Sequence, residues 1–342
     1  MRTLVISDLH LGRRAGHDVL RLAAVRERLL DALDDVDRLV LLGDALELMG
    51  RNPRRTMATA EPIIRAIGRR LGPNREVIVV PGNHDAPLVR AWALAQGRRL
   101  QPSTTVEPHA SRALDRLLAW LAPARTRVSY PGVWLGERVW ATHGHYIDRH
   151  LVPESSFGIL RRRVRGVVPA VVAPIEYERG RRPRRRSRDS LMTRALARPA
   201  GTLLESVAEL ARSATMPRVP RLMMNSGLAP VTARLIDAQM RHQSLPAMAY
   251  VVRRLGVDAD WVLFGHVHRR GPIGGPDWVQ NESMRFVNTG SWVYDPLLVD
   301  RAVAPHPYWP GGAVLLDDGR EPRSLGLLDD LGAEQLRPGA RT

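Results

Sequence analysis

The 342-residue chain contains no cysteine and no lysine, and each absence narrows what the protein can be. Without cysteine there is no disulfide, no thiolate metal site and no cysteine nucleophile. No uninterrupted run of about 20 apolar residues occurs, so the sequence predicts no transmembrane helix. The N-terminus, MRTLVISDLH, lacks the apolar core of a signal peptide. We therefore expect a cytoplasmic protein.

Because lysine is absent, all 51 basic residues are arginine, and the formal net charge is +16. Strong net basicity favours anionic partners but carries no information about the fold. The excess is concentrated, since residues 151–225 contain 16 Arg against 6 Asp and Glu. With 44% hydrophobic and 25% charged residues, the composition is that of a globular protein. The length is typical of about two domains, or of one large domain with an insertion.

Apolar runs alternate with helical patterns in the N-terminal third, which is typical of a buried α/β sheet. The predicted strands are Thr3–Ser7, Arg38–Leu42 and Glu76–Val80, followed by Arg127–Tyr130, Val133–Leu135, Arg138–Thr142, Trp261–Phe264, Met284–Val287 and Ala313–Leu316. The predicted helices are His17–Leu33, Thr56–Leu71 and Ser111–Leu121. We predict an α/β core over residues 1–150 and 247–320, a basic helical insertion or lid over 151–246, and a solvated tail over 321–342.

Polar clusters follow five of the predicted strands, where ligands gather in open α/β sheets. They are Asp8-Leu-His10, Gly43-Asp44, Gly82-Asn83-His84-Asp85, His143-Gly-His145 and Gly265-His266-Val-His268. Oxygen ligands mixed with imidazoles suit manganese, iron or zinc. A single cluster proves little, because Asp148-Arg-His150 repeats the first pattern in an unremarkable context. The ordered series of five, with glycine beside the key residues, indicates a metal site.

This ordered series resembles the calcineurin-like metallophosphoesterase superfamily, whose motifs run Asp-x-His, Gly-Asp, Gly-Asn-His, His and Gly-His-x-His. The resemblance implies a four-layer αββα sandwich and a dimetal-dependent hydrolase of phosphoester or pyrophosphate bonds that uses a metal-bridging hydroxide. Transferred motif by motif, it assigns Asp8, His10 and His268 to one metal, Asn83, His143 and His266 to the other, and Asp44 to both. The implied cofactors are two divalent ions, manganese first, with iron or zinc as alternatives. Two divalent cations, the two carboxylates and a bridging hydroxide would together carry a charge of roughly +1. A positive centre favours an anionic phosphoester.

The same resemblance makes His84 the catalytic histidine, which contacts phosphate or protonates the leaving group. Glu47 either orients His84 or caps a helix, and Asp85 suits the supporting role equally well. His145 either supports His143 or is a loop residue. Asn288, in Asn-Thr-Gly-Ser-Trp, matches a stretch near the site in the family. The histidines outside the motifs are not predicted to be ligands; they are His17, His109, His150, His242 and His306.

The segment Arg161–Arg188 holds 11 Arg against 2 Glu. Runs of like charge are usually solvated loops. The alternative is a lid, with Arg161, Arg162, Arg163 and Arg165, that meets an anionic membrane or a large anionic substrate. Apolar patches at Phe157–Leu160 and Val167–Ile175 favour lipid over nucleic acid, since few aromatic stacking platforms are present. If the segment is such a lid, we expect peripheral contact with an anionic membrane through it; a solvated loop is the other interpretation.

The outline also resembles the UDP-2,3-diacylglucosamine pyrophosphatases, which begin with Ser-Asp-Leu-His-Leu, as in Ser7–Leu11, and carry a helical lid before Gly-His-x-His. That family often has Arg at the position of His84, and the present insertion is longer and more basic. We expect a phosphorylated lipid or a nucleotide-containing small molecule as substrate. The alternatives are a nuclease of the same superfamily and a catalytically retired scaffold, although every motif position is filled here.

Overall fold

A computed structural model describes residues 1–13, 17–50, 52–153, 160–162, 170–179, 243–273, 283–300 and 302–337. Most of the predicted insertion, including Arg163 and Arg165, lies outside these ranges, as does His242. Arg161 and Arg162 belong to a short described strand. The predicted helical character of residues 180–242 is therefore not addressed by the structure.

Thirteen strands occur in the described ranges. They are β1 (Arg2–Ile6), β2 (Arg38–Leu42), β3 (Glu76–Val80), β4 (Ser103–Thr105), β5 (Arg125–Trp134), β6 (Val139–Thr142), β7 (Leu151–Pro153), β8 (Leu160–Arg162), β9 (Trp261–Phe264), β10 (Arg270–Gly271), β11 (Arg285–Thr289), β12 (Gly312–Asp317) and β13 (Arg323–Gly326). Eleven form one sheet in the order β10-β11-β9-β6-β5-β3-β2-β1-β12-β13, with β4 paired to β5 beside this path. β7 and β8 form a separate hairpin.

Eight α-helices accompany the strands in the same ranges. They are α1 (Ala23–Ala32), α2 (Pro53–Leu71), α3 (Arg90–Gln96), α4 (Arg112–Leu121), α5 (Ile175–Arg179), α6 (residues 243–254), α7 (Pro296–Val299) and α8 (Ala333–Leu336). α2 begins before the predicted Thr56 because Asn52 caps it, accepting from the Arg55 N–H at 3.1 Å. Ser111 caps α4 by accepting from the Leu114 N–H at 3.1 Å. The mixed α/β class predicted from the sequence is confirmed.

The predicted strands at β2, β3 and β9 are confirmed at both ends. The predicted break between the strands Arg127–Tyr130 and Val133–Leu135 is wrong, because β5 runs continuously through Pro131. β5 pairs in parallel with β3 through Val128 and then antiparallel with β6 from Gly132. Pro131 has no N–H to donate, and it lies where β5 changes partner. One strand therefore joins two groups of strands.

Both faces of the central strands are buried, and their side chains divide by alternation. In β2, Leu39 and Leu41 pack with helices α1, α2 and α4, whereas Val40 and Leu42 belong to a second apolar cluster. That second cluster also contains side chains from the other group of strands, namely Ala141, Leu263 and Val287. A third cluster joins the outer face of this group to α6. The two strand groups thus share an apolar interior.

The C-terminal residues differ from the predicted solvated tail. β13 pairs antiparallel with β12, from Arg323 opposite Leu315 to Gly326 opposite Gly312. Leu328 and Leu336 are 0% and 1% exposed and pack against the helical core cluster. The apolar residues of this short, mostly polar stretch are buried, which a composition argument could not detect. The stretch is part of the fold as far as residue 337.

No helix in the described part of the chain combines the length and the apolar character that crossing a membrane requires.

Helices α2 and α4 approach closely at Gly68, so a substitution at this position tests how tightly they pack. A Cβ at this position would lie 2.3 Å from the backbone oxygen of Leu121. Alanine is more favourable than glycine inside a helix by about 1 kcal/mol. Without crowding, Gly68→Ala would therefore stabilise the protein. We expect instead a loss of about 1–3 kcal/mol from overpacking, measured by urea unfolding. In the control Gly136→Ala, the nearest atom would be 4.0 Å from the new Cβ. Equal or greater stability of Gly68→Ala would contradict the packing described.

Candidate metal centre

The predicted ligands meet where the carboxyl ends of two groups of parallel strands converge. β1, β2 and β3 are parallel neighbours, and so are β6, β9 and β11. The residues that follow these strands are Asp8 and His10 after β1, Asp44 after β2, Asn83 after β3, His143 after β6, and His266 and His268 after β9. The structure brings all seven together, although almost 260 residues separate the first from the last.

One group of ligand atoms is formed by Asp8, His10 and His268. The distance from Asp8 Oδ1 to His268 Nε2 is 3.3 Å, and that from His10 Nε2 to His268 Nε2 is 3.1 Å. His10 Nε2 lies 3.7 Å from Asp8 Oδ1. The three ligand atoms lie within 4.8 Å of one another. This is the set predicted to hold the first metal.

A second group of ligand atoms is formed by Asp44, His143 and His266, all within 4.8 Å of one another. His143 Nε2 lies 3.2 Å from Asp44 Oδ2 and 3.1 Å from Asn83 Oδ1. The same Asp44 oxygen is 3.8 Å from His10 Nε2. Asp44 therefore lies between the two groups, the position that a shared ligand requires.

These residues fit a pair of divalent cations. Asp8 Oδ1 is buried without a hydrogen-bond partner among the described residues, so it has lone pairs available for a cation. Carboxylate, amide and imidazole donors without a thiolate suit manganese, iron or zinc. The Nε2 atoms of His10 and His268 face each other at 3.1 Å, so both could bind the same cation.

The electrostatics of the site point the same way. Burial lowers the pKa of His10, but the nearby carboxylates of Asp8 and Glu47 outweigh burial and raise it to about 9. Burial also lowers the pKa of His143, and the charges of Asp44 and Asp8 raise it to about 8. For Asp44, burial raises the carboxyl pKa, but the nearby imidazolium charges hold it well below its usual range. The buried carboxylates thus require compensating positive charge, which either protons or metal ions can supply.

Five of the predicted ligands have a left-handed backbone, with positive φ. They are Asp8, His10, Asp44, His266 and His268, with φ between 45° and 68°. Within the described ranges, the other non-glycine residue with positive φ is His109. This conformation is uncommon for non-glycine residues and clusters at functional sites. Here the backbone N–H groups of Asp8 and His10 donate to the carbonyls of Gly43 and Asp44, at 2.9 and 2.8 Å.

Close backbone approach at the site requires glycine at two of the motif positions. A Cβ on Gly82 would lie 2.2 Å from Asp44 Oδ1, and one on Gly265 would lie 2.4 Å from Asp8 Oδ2. Any larger side chain there would displace a ligand carboxylate. Steric crowding therefore explains why glycine occupies the first position of the Gly-Asn-His and Gly-His-x-His motifs.

Glu47 connects the predicted catalytic histidine to a predicted metal ligand. Its Oε1 accepts from His84 Nδ1 at 2.7 Å, and its Oε2 accepts from His10 Nδ1 at 3.1 Å. Burial raises the pKa of Glu47, but the hydrogen bonds from His10 and His84 hold it well below its usual range. Of the two predicted roles of Glu47, the structure favours orienting His84 over capping a helix.

The other predicted supporting residues hold the loops of the site. Asp85 accepts from the backbone N–H groups of Ala45 and Leu46 at 3.0 and 2.9 Å, so it supports the loop after Asp44 rather than His84. Asn288 donates to the Gly265 carbonyl at 3.0 Å, directly before His266. His145 is 2% exposed, and its ring centroid lies 5.5 Å from that of His143.

The sequence predicts no role for Asp148, which lies outside the motif series. Its Oδ1 lies 2.7 Å from His266 Nε2. A 3-10 turn, His145–Arg149, starts two residues after His143 and keeps Asp148 at the carboxyl end of β6. The nearness of Asp148 to a motif histidine was a usable signal, but only the fold shows its contact with His266.

A third group of potential ligand atoms consists of His10, Asp44 and His84. The described histidines that were not predicted as ligands, at 17, 109, 150 and 306, lie outside all three groups. His17 donates to the Tyr294 carbonyl at 2.6 Å. His150 contacts the Tyr177 hydroxyl at 2.9 Å. The His109 side chain is 85% exposed beside Asp115.

A comparison with models of protein families gives a match over the first half of the chain. A family model described as calcineurin-like phosphoesterase matches residues 1–173. This range contains the motif positions from Asp8 to His143, whereas His266 and His268 lie beyond it. A comparison with curated proteins finds no match.

The double hydrogen bond of Glu47 predicts a role in metal binding. In Glu47→Gln, the amide has one oxygen to accept and an NH2 group that cannot accept, so it cannot satisfy both imidazoles. Removing such a supporting carboxylate typically lowers metal affinity about 10- to 100-fold. We expect this loss in titrations of metal-free protein with Mn²⁺. The control is Glu76→Gln, which changes a partner of Arg38 and Arg127 at the amino end of β3. Equal affinity of both variants and wild type would contradict the role.

Proposed function

Because this chain belongs to the calcineurin-like phosphoesterase family, we propose that it is a dimetal-dependent hydrolase of phosphoester or pyrophosphate bonds. The family and the ligand clusters together make it a metal-dependent phosphoester hydrolase. The observation that carries the dimetal proposal is the position of Asp44, with its Oδ2 3.2 Å from His143 Nε2 in one group and 3.8 Å from His10 Nε2 in the other.

In this proposal, each metal is held by one group of ligands. Asp8, His10 and His268 would hold one ion, Asn83, His143 and His266 the other, and Asp44 both. Manganese is the first candidate, with iron or zinc as alternatives, because imidazole-carboxylate sites accept all three. When bound, such ions supply Lewis-acid stabilisation of phosphoryl oxygens and activation of water.

His84 is the proposed catalytic residue. Glu47 accepts from His84 Nδ1 at 2.7 Å and so orients the ring, and Nε2 is the nitrogen that would serve a phosphoester oxygen. The His84 side chain is 12% exposed, and its ring centroid lies 4.8 Å from that of His10. His84 thus stands beside the proposed metal site and can contact phosphate or donate a proton to the leaving group.

The proposed architecture is the four-layer αββα sandwich, with a core that resumes after the insertion. Three apolar clusters support it, one with α1 to α4, one shared by the two strand groups, and one with α6. After the insertion, β9 pairs with β6 and β12 pairs with β1. These pairings support residues 247–320 as part of the core formed by residues 1–150.

The proposed substrate is a phosphorylated lipid or a nucleotide-containing small molecule. Two features of the sequence support it: the likeness of Ser7–Leu11 to the UDP-2,3-diacylglucosamine pyrophosphatases, and the charge of Arg161–Arg188 with its flanking apolar patches. The same segment carries the proposal of peripheral contact with an anionic membrane. Cleavage of nucleic acid is the competing outcome that a substrate panel would detect.

We expect metal-stripped protein to hydrolyse bis-p-nitrophenyl phosphate or p-nitrophenyl phosphate only after Mn²⁺ is restored. Asp44→Asn and His266→Ala should lose turnover and part of their Mn²⁺ binding. His84→Ala should keep both ions while kcat falls about 10²- to 10⁴-fold, the typical contribution of a general acid. Preference for the diester or the monoester would direct the search for the natural substrate.

Matched controls exist on the surface of the chain. His109→Ala removes a histidine whose side chain is 85% exposed, and Asp258→Asn changes a carboxylate that is 87% exposed. Both should retain wild-type turnover. Retained activity in Asp44→Asn and His266→Ala would refute the proposal, and two bound ions without turnover on a broad substrate panel would indicate a retired site.

The membrane proposal predicts charge-dependent binding to lipid vesicles. The full-length protein should bind phosphatidylglycerol vesicles and not phosphatidylcholine vesicles. Each arginine near an anionic surface contributes about 1 kcal/mol, so replacing Arg161, Arg162, Arg163 and Arg165 by Gln should weaken binding about 10²- to 10³-fold in sedimentation assays. Replacing four arginines outside the insertion, such as those at 54, 55, 98 and 99, is the control. Equal binding of both variants would contradict the proposal.

A further inference from the structure

We propose that Asp148 is a positioning residue that fixes the imidazole of His266 for metal binding. This inference rests on the proposed function, since it assigns a role at the same site. Asp148 lies outside the motif series. Its Oδ1 is 2.7 Å from His266 Nε2, and the two side chains are 11% and 3% exposed.

The contact selects which nitrogen of His266 can bind a metal. A carboxylate can only accept, so the hydrogen lies on Nε2, and the lone pair of the neutral ring lies on Nδ1. Asp148 itself is not in the group of ligand atoms formed by Asp44, His143 and His266. Its oxygen therefore acts on the ring from outside the ligand group.

Two other predicted ligands are held in the same way, which gives the contact a precedent within this site. His143 donates from Nδ1 to the Leu42 carbonyl at 3.1 Å, and its Nε2 faces the ligand group. His10 donates from Nδ1 to Glu47 at 3.1 Å, and its Nε2 faces Asp8 and His268. Each ring thus has an acceptor at the nitrogen remote from its ligand group. For His266, that acceptor is Asp148.

The backbone contacts of His266 do not determine the orientation of its ring. Its φ is +68°, and its N–H donates to Asp8 Oδ2 at 2.9 Å. That bond fixes the backbone but does not by itself set the rotation of the ring about χ1 and χ2. Asp148 removes this freedom, and its negative charge increases the basicity of the imidazole toward a metal.

Asp148 is itself held rigidly by the surrounding elements. It belongs to the turn His145–Arg149, which α5 anchors from the other side. The Tyr146 hydroxyl donates to Glu178 at 2.7 Å, and Arg149 donates to the Glu176 carbonyl at 2.8 Å. A carboxylate on an anchored turn can hold a ligand in one orientation, which a flexible loop could not do.

The test is calorimetric titration of metal-free full-length protein with Mn²⁺. Wild type should bind two ions. Asp148→Ala should weaken one of the two sites about 10- to 100-fold, the usual effect of losing a partner of a metal ligand, and leave the other unchanged. Asp148→Asn keeps the shape and an acceptor oxygen but loses the charge, so its effect should be smaller. At saturating Mn²⁺, both variants should recover most of the wild-type kcat for bis-p-nitrophenyl phosphate.

A double-mutant cycle identifies the site affected. His266→Ala should weaken the same site, and adding Asp148→Ala to it should weaken Mn²⁺ binding no further, because Asp148 acts through His266. Asp258→Asn, the exposed control, should match wild type. Melting curves of the metal-free proteins establish folding; if Asp148→Ala does not fold, Asp148→Asn carries the test.

Three results of the Mn²⁺ titrations would overturn the inference. They are unchanged Mn²⁺ affinity in both Asp148 variants, equal weakening of both sites, and additive losses in the double mutant. Loss of kcat at saturating Mn²⁺ with unchanged affinity would also overturn it, since Asp148 would then act on the substrate. If wild type itself binds no Mn²⁺, the proposed function fails; if wild type binds two ions and the variants do so equally well, only the inference fails.

Discussion

The burial of two carboxylates is the constraint on which the rest of this structure depends. Asp8 and Asp44 are 0% and 1% exposed, and removing a carboxylate from water costs several kcal/mol unless it is compensated. Imidazoles and backbone N–H groups surround both. The loops that carry Asp8 and Asp44 can keep a left-handed backbone because hydrogen bonds and charge hold them there. Nearby imidazoles compensate the charge of both carboxylates, and divalent cations would supply the same positive charge.

That constraint explains why the supporting residues come from distant parts of the chain. Glu47 holds His10 and His84, Asp85 holds the loop after Asp44, and Asn288 holds the loop before His266. His10, His143 and His266 each have a further hydrogen-bond partner outside the buried carboxylates. This arrangement fixes the orientation of side chains that would bind metal ions.

Much of the fold and the ligand set could be predicted because the signals are local. The strands β2 and β3 are short apolar runs bounded by turn residues, and Asp44 and Asn83 follow them directly. The failures arise where long-range pairing decides the outcome. Periodicity could not show that β5 continues through Pro131 with a new partner, or that Arg323–Gly326 pairs with β12. The role of Asp148 depends on a residue 118 positions away, which no local pattern contains.

The ends of the large sheet have a consequence for the behaviour of the protein in concentrated solution. Among the described residues, the outermost strands of the main path are β10, with 2 residues, and β13, with 4. A long, flat edge strand offers unpaired N–H and C=O groups to other chains and is a template for aggregation. These edges are too short for that, and β13 covers the longer, apolar β12. β13 therefore shields the edge of β12 from pairing with strands of other protein molecules.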